Sequence, residues 1–301
     1  MTQIHHTVWS QWSDLVIPDG FTRLSPENFP LESSDLSKIT FYIPPYMTGN
    51  EFLEPVKQMT NLQYLQTQNA GYDNMIPYVR PGITLCNAKG VHNASTAELA
   101  VGMAIAMKRG FPDFIRSQDK GIWSHERMGS LNDSTIGIIG AGSIAQTMIS
   151  YLTPYDVEIK LFSRSGSNGS LTMDKLDEHL PTMDIVILIL PLNADSKHLF
   201  DARKLSLMKD RAILINVARG GVVDTDALVA ELNTGRISAA LDVTDPEPLP
   251  AGHPLWSAPN VLITPHVGGD SEAFEKRGKR FMEQQLQRLA EGLAPLNVIE
   301  V

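Results

Sequence analysis

The chain has 301 residues, of which 43% are hydrophobic, so it is long and apolar enough for about two domains with cores of their own. Its formal net charge of −9 at pH 7 argues against a nucleic-acid-binding surface and favours solubility. The single cysteine, Cys86, excludes an intramolecular disulfide and is expected to be a small buried side chain.

Membrane, export and metal signals are missing from the sequence. No apolar run approaches the roughly 18 residues that a membrane-spanning helix needs. The N-terminal residues lack the basic start and apolar core of a signal peptide. The histidines show no metal-ligand spacing with one another. We therefore expect a cytoplasmic protein with no membrane or nucleic-acid partner and no bound metal.

Residues 1 to about 100 have the pattern of a small α/β unit. Short apolar runs over 39–43, 62–66 and 83–86 predict strands. The turn over 68–74, which follows the second of these runs, is rich in residues that tolerate unusual backbone angles.

A long helix is predicted from Ser95 to Lys108, because Ser95 and Glu98 fit a capping box. Its residues are apolar nearly all round, so we expect it to be buried between domains or between subunits. Residues 111–132 are mixed and polar, which suggests an arm or linker.

From Ser134 the chain alternates between strands and helices. Apolar runs predict six strands, which begin near residues 135, 157, 184, 211, 237 and 261. Asp224 is expected to cap a helix that ends before Gly235. A final helix over 271–293 is expected to return to the first domain. The fold class is therefore α/β, with a doubly wound parallel-sheet Rossmann domain over 99–269 and a smaller α/β domain over 1–98 plus 270–301.

The first strand of the larger domain runs into a glycine-rich turn, Gly140-Ala-Gly142, and then into an apolar segment that favours a helix. This is the context in which a G-x-G-x-x-G/A pattern indicates dinucleotide binding. Gly140 permits the turn, Gly142 leaves room for a pyrophosphate, and Ala145 takes the third small position. The free N–H groups at the helix start would then face the phosphates.

Polar residues follow the last three predicted strands of this domain. Arg219, Glu247 and His266 each come shortly after a strand end, where ligands bind in a doubly wound sheet. Taken singly, each is more often a salt-bridge partner or a solvated loop residue than a catalyst. A nicotinamide ring that crosses the sheet's switch point would arrive beside all three.

The segments over 216–224, 241–250 and 263–269 resemble signatures of the D-isomer-specific 2-hydroxyacid dehydrogenases, closest in motif to the glyoxylate/hydroxypyruvate reductase branch. The likeness extends over 65–73 and 190–193 and is weakest over residues 1–60 and 111–130. It implies a flavodoxin-like substrate domain beside the Rossmann domain, and it points to a homodimer.

The resemblance also implies roles that suit the residue types. His266 would protonate the carbonyl oxygen as hydride reaches the adjacent carbon, and Glu247 would orient the ring and favour its protonated form. Arg219 offers a planar fork to the substrate carboxylate and the reacting oxygen. Backbone N–H groups of Asn69, Ala70 and Gly71 would bind the same carboxylate, with Asn69 and Tyr72 bordering the pocket.

An NAD-preferring domain carries an acidic residue near the end of its second strand, and this chain has Ser163-Arg164-Ser165 there. Arginine and hydroxyl groups hold a 2′-phosphate, so NADP(H) is expected to be preferred and NAD(H) remains possible. Asp242 is expected to contact the coenzyme. The alternative is that Asp242 supports the site structurally. The full expected set is Gly140, Gly142, Ser143, Ile144, Ser163, Arg164, Ser165, Pro191, Val217, Asp242, His266 and Gly268.

These features predict an NAD(P)H-dependent reductase of small 2-oxo acids, with glyoxylate and hydroxypyruvate leading, that forms D-2-hydroxy acids. The alternative is a corepressor-like protein that senses nicotinamide cofactors and binds peptides, since an intact triad does not exclude that role. The sequence does not rank individual 2-oxo acids.

Overall fold

A computed structural model describes residues 5–24, 31–47, 49–167 and 169–300. The chain divides into two compact units, Met1–His92 with Ser271–Val301 (unit 1) and Asn93–Asp270 (unit 2). The strands are β1 (Thr7–Ser10), β2 (Thr22–Leu24), β3 (Phe41–Ile43), β4 (Tyr64–Gln66), β5 (Thr84–Cys86), β6 (Ser134–Ile139), β7 (Val157–Ser163), β8 (Leu171–Thr172), β9 (Ile185–Leu188), β10 (Ile213–Asn216), β11 (Ser238–Leu241), β12 (Val261–Ile263) and β13 (Val298–Ile299).

The α-helices are α1 (Ser33–Leu36), α2 (Asn93–Lys108), α3 (Phe111–Asp119), α4 (Ser143–Leu152), α5 (Leu176–His179), α6 (Ala202–Leu207), α7 (Thr225–Asn233) and α8 (Glu272–Ala290). Short 3-10 helices cover Asn50–Phe52, Glu54–Gln58, Ile76–Tyr78, Met173–Lys175, Leu180–Thr182, Gly220–Val222 and Pro254–Trp256. No helix in the described ranges is long and apolar enough to cross a membrane.

Unit 1 contains a sheet in the order β13-β5-β4-β3-β1-β2. The strands β1 to β5 pair in parallel with one another, and β13 pairs antiparallel with β5. Without β13 the order is the 2-1-3-4-5 of flavodoxin-like sheets, which confirms the predicted fold of the smaller domain. Neighbouring residues of β3 belong to different apolar clusters, so both faces are covered. The last helix, α8, packs into one of these clusters, as predicted.

Unit 2 contains a sheet in the order β12-β11-β10-β9-β6-β7-β8. All its pairings are parallel. Read from β6, this is the 3-2-1-4-5-6 order of a Rossmann fold with one further strand, and the order reverses between β6 and β9. Ile185 and Ile187 belong to one apolar cluster and Val186 and Leu188 to the other. The strand β9 is therefore buried on both faces, which explains why its sequence is a continuous apolar run.

The helix α2 marks the border between the units. It begins at Asn93 rather than Ser95, so Ser95 lies in its first turn and is not its N-cap. The expected domain border after residue 98 falls inside this helix. Ala97, Ala100 and Met103 join an apolar cluster of unit 2, because the helix packs on the sheet of that unit. Most of its apolar surface is therefore covered within one chain.

Several elements differ from the sequence predictions. The strands β1, β2, β8 and β13 were not predicted, and each has only two to four residues. The segment expected to be an arm or linker begins with a helix, α3, which has Pro112 in its first turn. The predicted cap of α7 is confirmed, because the Asp224 side chain accepts a hydrogen bond from the Ala227 N–H at 3.0 Å.

Candidate active site

The glycine turn after β6 has the geometry of a phosphate-binding turn. Gly140 has a φ of +117°, and a Cβ there would lie 2.1 Å from the carbonyl oxygen of Ile189. A Cβ on Gly142 would have no described atom within 4 Å, so the space beside this residue is open. Gly142 is the N-cap of α4, whose first N–H groups lack partners in the helix. These residues fit the pyrophosphate of a dinucleotide, which the helix start would bind.

The residues that follow this turn form the start of α4. Ser143 opens α4 and its hydroxyl donates to the Asn93 Oδ1 at 3.1 Å. Ile144 is the second residue of the helix, so its N–H is one of the unpartnered donors. The buried side chain of Ala145 lies in the apolar cluster that joins helix and sheet, as the third small position requires.

The end of β7 carries the three residues expected to select the coenzyme. The Ser163 hydroxyl lies 2.6 Å from the Ser170 hydroxyl and accepts from the Gly166 N–H at 3.0 Å. The Ser165 hydroxyl lies 2.8 Å from that of Ser167. The serines thus shape a turn, while Arg164 is exposed and has no hydrogen bond or ion pair with the described residues. Arg164 therefore presents an available cation at this strand end.

His266 and Glu247 form a direct pair on the loops that follow β12 and β11. The His266 Nδ1 lies 2.5 Å from the Glu247 Oε1, and both side chains are partly exposed. The contact orients the ring and leaves Nε2 as the nitrogen that can serve a substrate. The His266 backbone is left-handed, with a φ of +55°. This is uncommon for a residue other than glycine.

The environment of Glu247 favours its ionised form. Burial opposes ionisation, but the hydrogen bond and charge of His266, a backbone hydrogen bond from Thr244 and the charge of Arg219 outweigh it. The pKa of the Glu247 carboxyl is therefore lowered. An ionised carboxylate can only accept, so Glu247 orients the His266 ring through a hydrogen bond from its Nδ1.

Arg219 follows β10 and lies near enough to Glu247 to influence its pKa. Its Nη1 donates to the carbonyl oxygen of Ala218 at 2.7 Å. Asn216 fixes the turn from the strand end, since its Oδ1 accepts from the Ala218 N–H and its Nδ2 donates to the Arg219 carbonyl. Asn216 belongs to the motif over 216–224, but its support of the Arg219 turn was not predicted from the sequence.

Asp242 is almost completely buried, with 3% of its surface exposed. Its Oδ1 accepts from the Thr264 hydroxyl at 2.6 Å and from the Val267 N–H at 2.9 Å, and its Oδ2 accepts from the Gly268 N–H at 2.8 Å. Its carbonyl oxygen also accepts from the His266 N–H at 2.8 Å. The carboxylate therefore holds the His266 loop, which matches the supporting role considered for it rather than a free coenzyme contact.

The remaining expected coenzyme contacts also lie just beyond strand ends of unit 2. Pro191 follows β9, and its carbonyl oxygen accepts from the Ser196 hydroxyl at 2.7 Å. Val217 follows β10 and is buried. Gly268 follows β12, and a Cβ there would lie 2.8 Å from the Asp242 Oδ2. The sheet order places the ends of β9, β10, β11 and β12 side by side at one edge.

The expected substrate loop, Asn69 to Tyr72, lies in unit 1 after β4. The carbonyl oxygens of Asn69 and Ala70 accept from the Ala88 N–H at 2.8 Å and from the Asn87 Nδ2 at 2.7 Å. The Asn69 N–H donates to the Thr67 hydroxyl at 3.0 Å. The N–H groups of Ala70, Gly71 and Tyr72 have no acceptor among the described residues. Three donors in sequence are therefore available for an anion.

Comparison with known proteins agrees with this geometry. The model of the domain described as "D-isomer specific 2-hydroxyacid dehydrogenase, NAD binding domain" matches residues 101–268, which is more than half of the chain. The chain belongs to the D-isomer-specific 2-hydroxyacid dehydrogenase family. It is therefore an oxidoreductase with a nicotinamide-coenzyme domain, and unit 2 is that domain.

Relatives in this family include proteins named as reductases. The chain is 34% identical to the glyoxylate reductase of Thermofilum pendens over 256 residues, which cover 80% of this chain and 72% of the relative. It is 33% identical to the mouse glyoxylate reductase/hydroxypyruvate reductase over 222 residues, which cover 69% and 68%. These names agree with the branch suggested by the sequence motifs.

A solved structure in the family shows the same fold. The NADPH-dependent glyoxylate/hydroxypyruvate reductase of Sinorhizobium meliloti, in complex with NADP and sulfate, superimposes with a TM-score of 0.82. The match covers 98% of each chain at 22% identity. The predicted two-domain α/β architecture is thereby confirmed.

Metal chemistry was not expected for this member of the family. In the described part of the chain, no group of three or more histidine, cysteine, aspartate or glutamate side chains is placed to hold a metal ion. The absence of a bound metal stays a prediction.

Proposed function

We propose that this dehydrogenase reduces small 2-oxo acids of the glyoxylate and hydroxypyruvate type to D-2-hydroxy acids, with NADPH preferred to NADH. The observation that carries the proposal is the His266–Glu247 pair, 2.5 Å apart, at the edge of the unit 2 sheet that also carries Arg219. An acid, its orienting carboxylate and a cation are the groups that reduction of a 2-oxo acid requires. The names of the reductase relatives support the substrate class.

Each residue has a role that its contacts support. A bound nicotinamide coenzyme supplies the hydride to the carbonyl carbon of the substrate. His266 donates the proton at Nε2 to the carbonyl oxygen, and Glu247 holds Nδ1 and stabilises the ring before that transfer. In the reverse direction His266 removes the hydroxyl proton. Arg219 binds the carboxylate and polarises the reacting oxygen with a two-pronged guanidinium.

The expected substrate loop, Asn69 to Tyr72, belongs to unit 1 and has backbone donors available for a carboxylate. We propose that the N–H groups of Ala70, Gly71 and Tyr72 bind the substrate carboxylate, with the side chains of Asn69 and Tyr72 setting the size of the accepted substrate. Backbone donors suit this task because a fixed N–H loses little entropy on binding. Small 2-oxo acids therefore fit a site that recognises the carboxylate more than the side chain.

The preference for NADPH rests on the end of β7. No carboxylate stands where an NAD-preferring domain would bind the ribose hydroxyls, and Arg164 is an exposed cation there. Arginine forms strong charge-assisted hydrogen bonds with phosphate. The NADP complex of the Sinorhizobium reductase is consistent with this preference. We expect the enzyme to use NADH as well, at lower efficiency.

The test is the oxidation of NADPH and of NADH, followed separately with a panel of 2-oxo acids. His266→Ala serves as the blank, and Arg164→Ala is compared with Arg127→Ala, which removes another exposed cation of unit 2. We expect R164A to raise the KM for NADPH about tenfold, with little change for NADH or for R127A. Faster oxidation of NADH by the wild type would overturn the coenzyme preference, and no oxidation with any acid would overturn the substrate class.

The corepressor-like alternative has no observation in its favour among the described residues. We further propose that the protein acts as a homodimer, and that the exposed apolar side chains of residues 111–123 form part of the interface.

A further inference from the structure

The loop expected to bind the substrate carboxylate is held from one side by a single stretch of chain. The carbonyl oxygen of Gln68, just before the loop, and those of Asn69 and Ala70 accept hydrogen bonds from residues 87–92. The Gln68 carbonyl lies 2.7 Å from the His92 Nε2, the Asn69 carbonyl accepts from the Ala88 N–H at 2.8 Å, and the Ala70 carbonyl accepts from the Asn87 Nδ2 at 2.7 Å. These residues all belong to unit 1.

The direction of these carbonyls fixes the direction of the free N–H groups. In a trans peptide the C=O of one residue and the N–H of the next point in opposite directions. The peptide bonds of this loop are not among the cis bonds of the described chain. With the Asn69 and Ala70 carbonyls turned towards residues 87–88, the N–H groups of Ala70 and Gly71 point away from that stretch. Both lack an acceptor among the described residues.

Among the hydrogen bonds of the described residues, the Asn87 side chain is the only one that donates to the Ala70 carbonyl. It is 5% exposed, so its amide is removed from competing water. Its own backbone is anchored, since its N–H donates to the Asn297 carbonyl at 3.1 Å. A buried, anchored donor orients its acceptor more firmly than a solvated one.

We propose that Asn87 is a positioning residue for substrate binding, because its Nδ2 turns the Ala70–Gly71 peptide so that the Gly71 N–H faces the substrate carboxylate. The proposal rests on the proposed function, which assigns carboxylate binding to this loop. Asn87 itself does not touch the substrate. Its effect is on the affinity for the acid and not on the coenzyme or on proton transfer.

The two ends of the Asn87 amide have separable tasks. Its Oδ1 accepts from the Lys89 N–H at 3.1 Å, which forms a local turn, and its Nδ2 donates to the loop. An aspartate keeps the acceptor for Lys89 and loses the donor for Ala70. Asn87→Asp therefore removes the positioning contact while it preserves the local turn, and Asn87→Ala removes both.

The experiment measures the KM for glyoxylate, kcat, the Kd of NADPH and the Kd of oxalate for the NADPH complex. We expect N87D to raise the KM for glyoxylate and the Kd of oxalate about tenfold, the factor that about 1.4 kcal/mol of lost hydrogen bonding produces. The Kd of NADPH should not change. Asn61→Asp is the matched control, because the Asn61 Nδ2 also donates to a carbonyl of unit 1, that of Ser37, at 2.7 Å.

Asn87→Ser covers the case in which a buried carboxylate prevents N87D from folding. The serine hydroxyl is uncharged and can accept from the Lys89 N–H, but it is too short to reach the Ala70 carbonyl, so N87S should weaken oxalate by a similar factor. If N87D or N87S binds oxalate and glyoxylate as the wild type does, Asn87 serves the local turn alone and the proposal is overturned. The oxalate measurement needs no turnover. It therefore tests Asn87 even if the wild type reduces no 2-oxo acid, a result that would overturn the proposed function instead.

Discussion

At the scale of single residues, His266 depends on two carboxylates with different tasks. Asp242 satisfies the main chain of the loop, and so supports a left-handed backbone that costs about 1 kcal/mol in a residue other than glycine. Glu247 satisfies the ring and determines which nitrogen faces the substrate. One carboxylate fixes where the His266 main chain lies, and the other orients its ring.

The pH dependence of the reaction should report the charge of Glu247. Because its pKa is lowered, the Glu247 carboxyl is ionised throughout the neutral range and can accept a hydrogen bond from the His266 Nδ1 there. Its contribution to folding is likewise present at neutral pH and is lost as the pH falls through the lowered pKa. Glu247→Gln keeps a hydrogen-bonding group but loses the charge, so kcat/KM for reduction should fall about tenfold across the neutral range.

The measurement is kcat/KM for the 2-oxo acid between pH 5 and 9, with saturating coenzyme. Glu272→Gln, which neutralises an exposed carboxylate in the first turn of α8, should leave the profile unchanged. An unchanged kcat/KM in E247Q would mean that the charge of Glu247 does not contribute to the reaction.

At the scale of elements, the turn between β6 and α4 carries two glycines with different requirements. In Gly140 both the backbone angle and the neighbouring Ile189 carbonyl exclude a Cβ. In Gly142 the backbone is extended, with a φ of −75° and a ψ of −175°, and the space is open. The first glycine serves the fold and the second leaves room for a ligand.

Gly140→Ala and Gly142→Ala should therefore fail in different ways. G140A should lower the free energy of unfolding by about 2 kcal/mol or more, because the chain must shift to relieve the clash. G142A should unfold like the wild type, yet bind NADPH at least about tenfold more weakly, since its methyl group takes space that the pyrophosphate needs. Thermal unfolding and a fluorescence titration with NADPH separate the two effects. Wild-type coenzyme affinity in G142A would contradict the assignment of this turn.

The elements also show where sequence reasoning succeeds. The strands of unit 2 with long apolar runs, such as β9, were predicted because burial on both faces leaves a signal in every residue. The strands β1, β2, β8 and β13 lie outside the apolar runs that the sequence singles out, and pairing with a neighbouring strand defines them. Arg219, Glu247 and His266 were identified by position after strand ends. The supporting contacts of Asn87 and Asn216 depend on backbone carbonyls, which no sequence pattern displays.

At the scale of the whole molecule, the sequence predicted a dimer from the apolar helix α2 and from the segment that follows it. The apolar residues of α2 suggested a partner, but several of them pack in the core of unit 2. Large exposed apolar residues lie just after α2 in the chain. Phe111, Ile115, Ile122 and Trp123 are all exposed, and Trp123 is 95% exposed. Large apolar side chains grouped within 13 residues on a surface indicate an interaction site.

The solution mass should therefore be twice that of the chain at micromolar concentration, as expected for a symmetric dimer. Ile115→Glu combined with Trp123→Glu should shift the mass to the monomer, because two charges would have to be buried without partners. Val16→Glu is the matched control, since Val16 is an exposed apolar residue of unit 1 and should leave the dimer intact. Light scattering after size-exclusion chromatography gives the mass directly. A wild type that is monomeric would refute the dimer, whereas a dimer that persists in the double variant would place the interface away from residues 111–123.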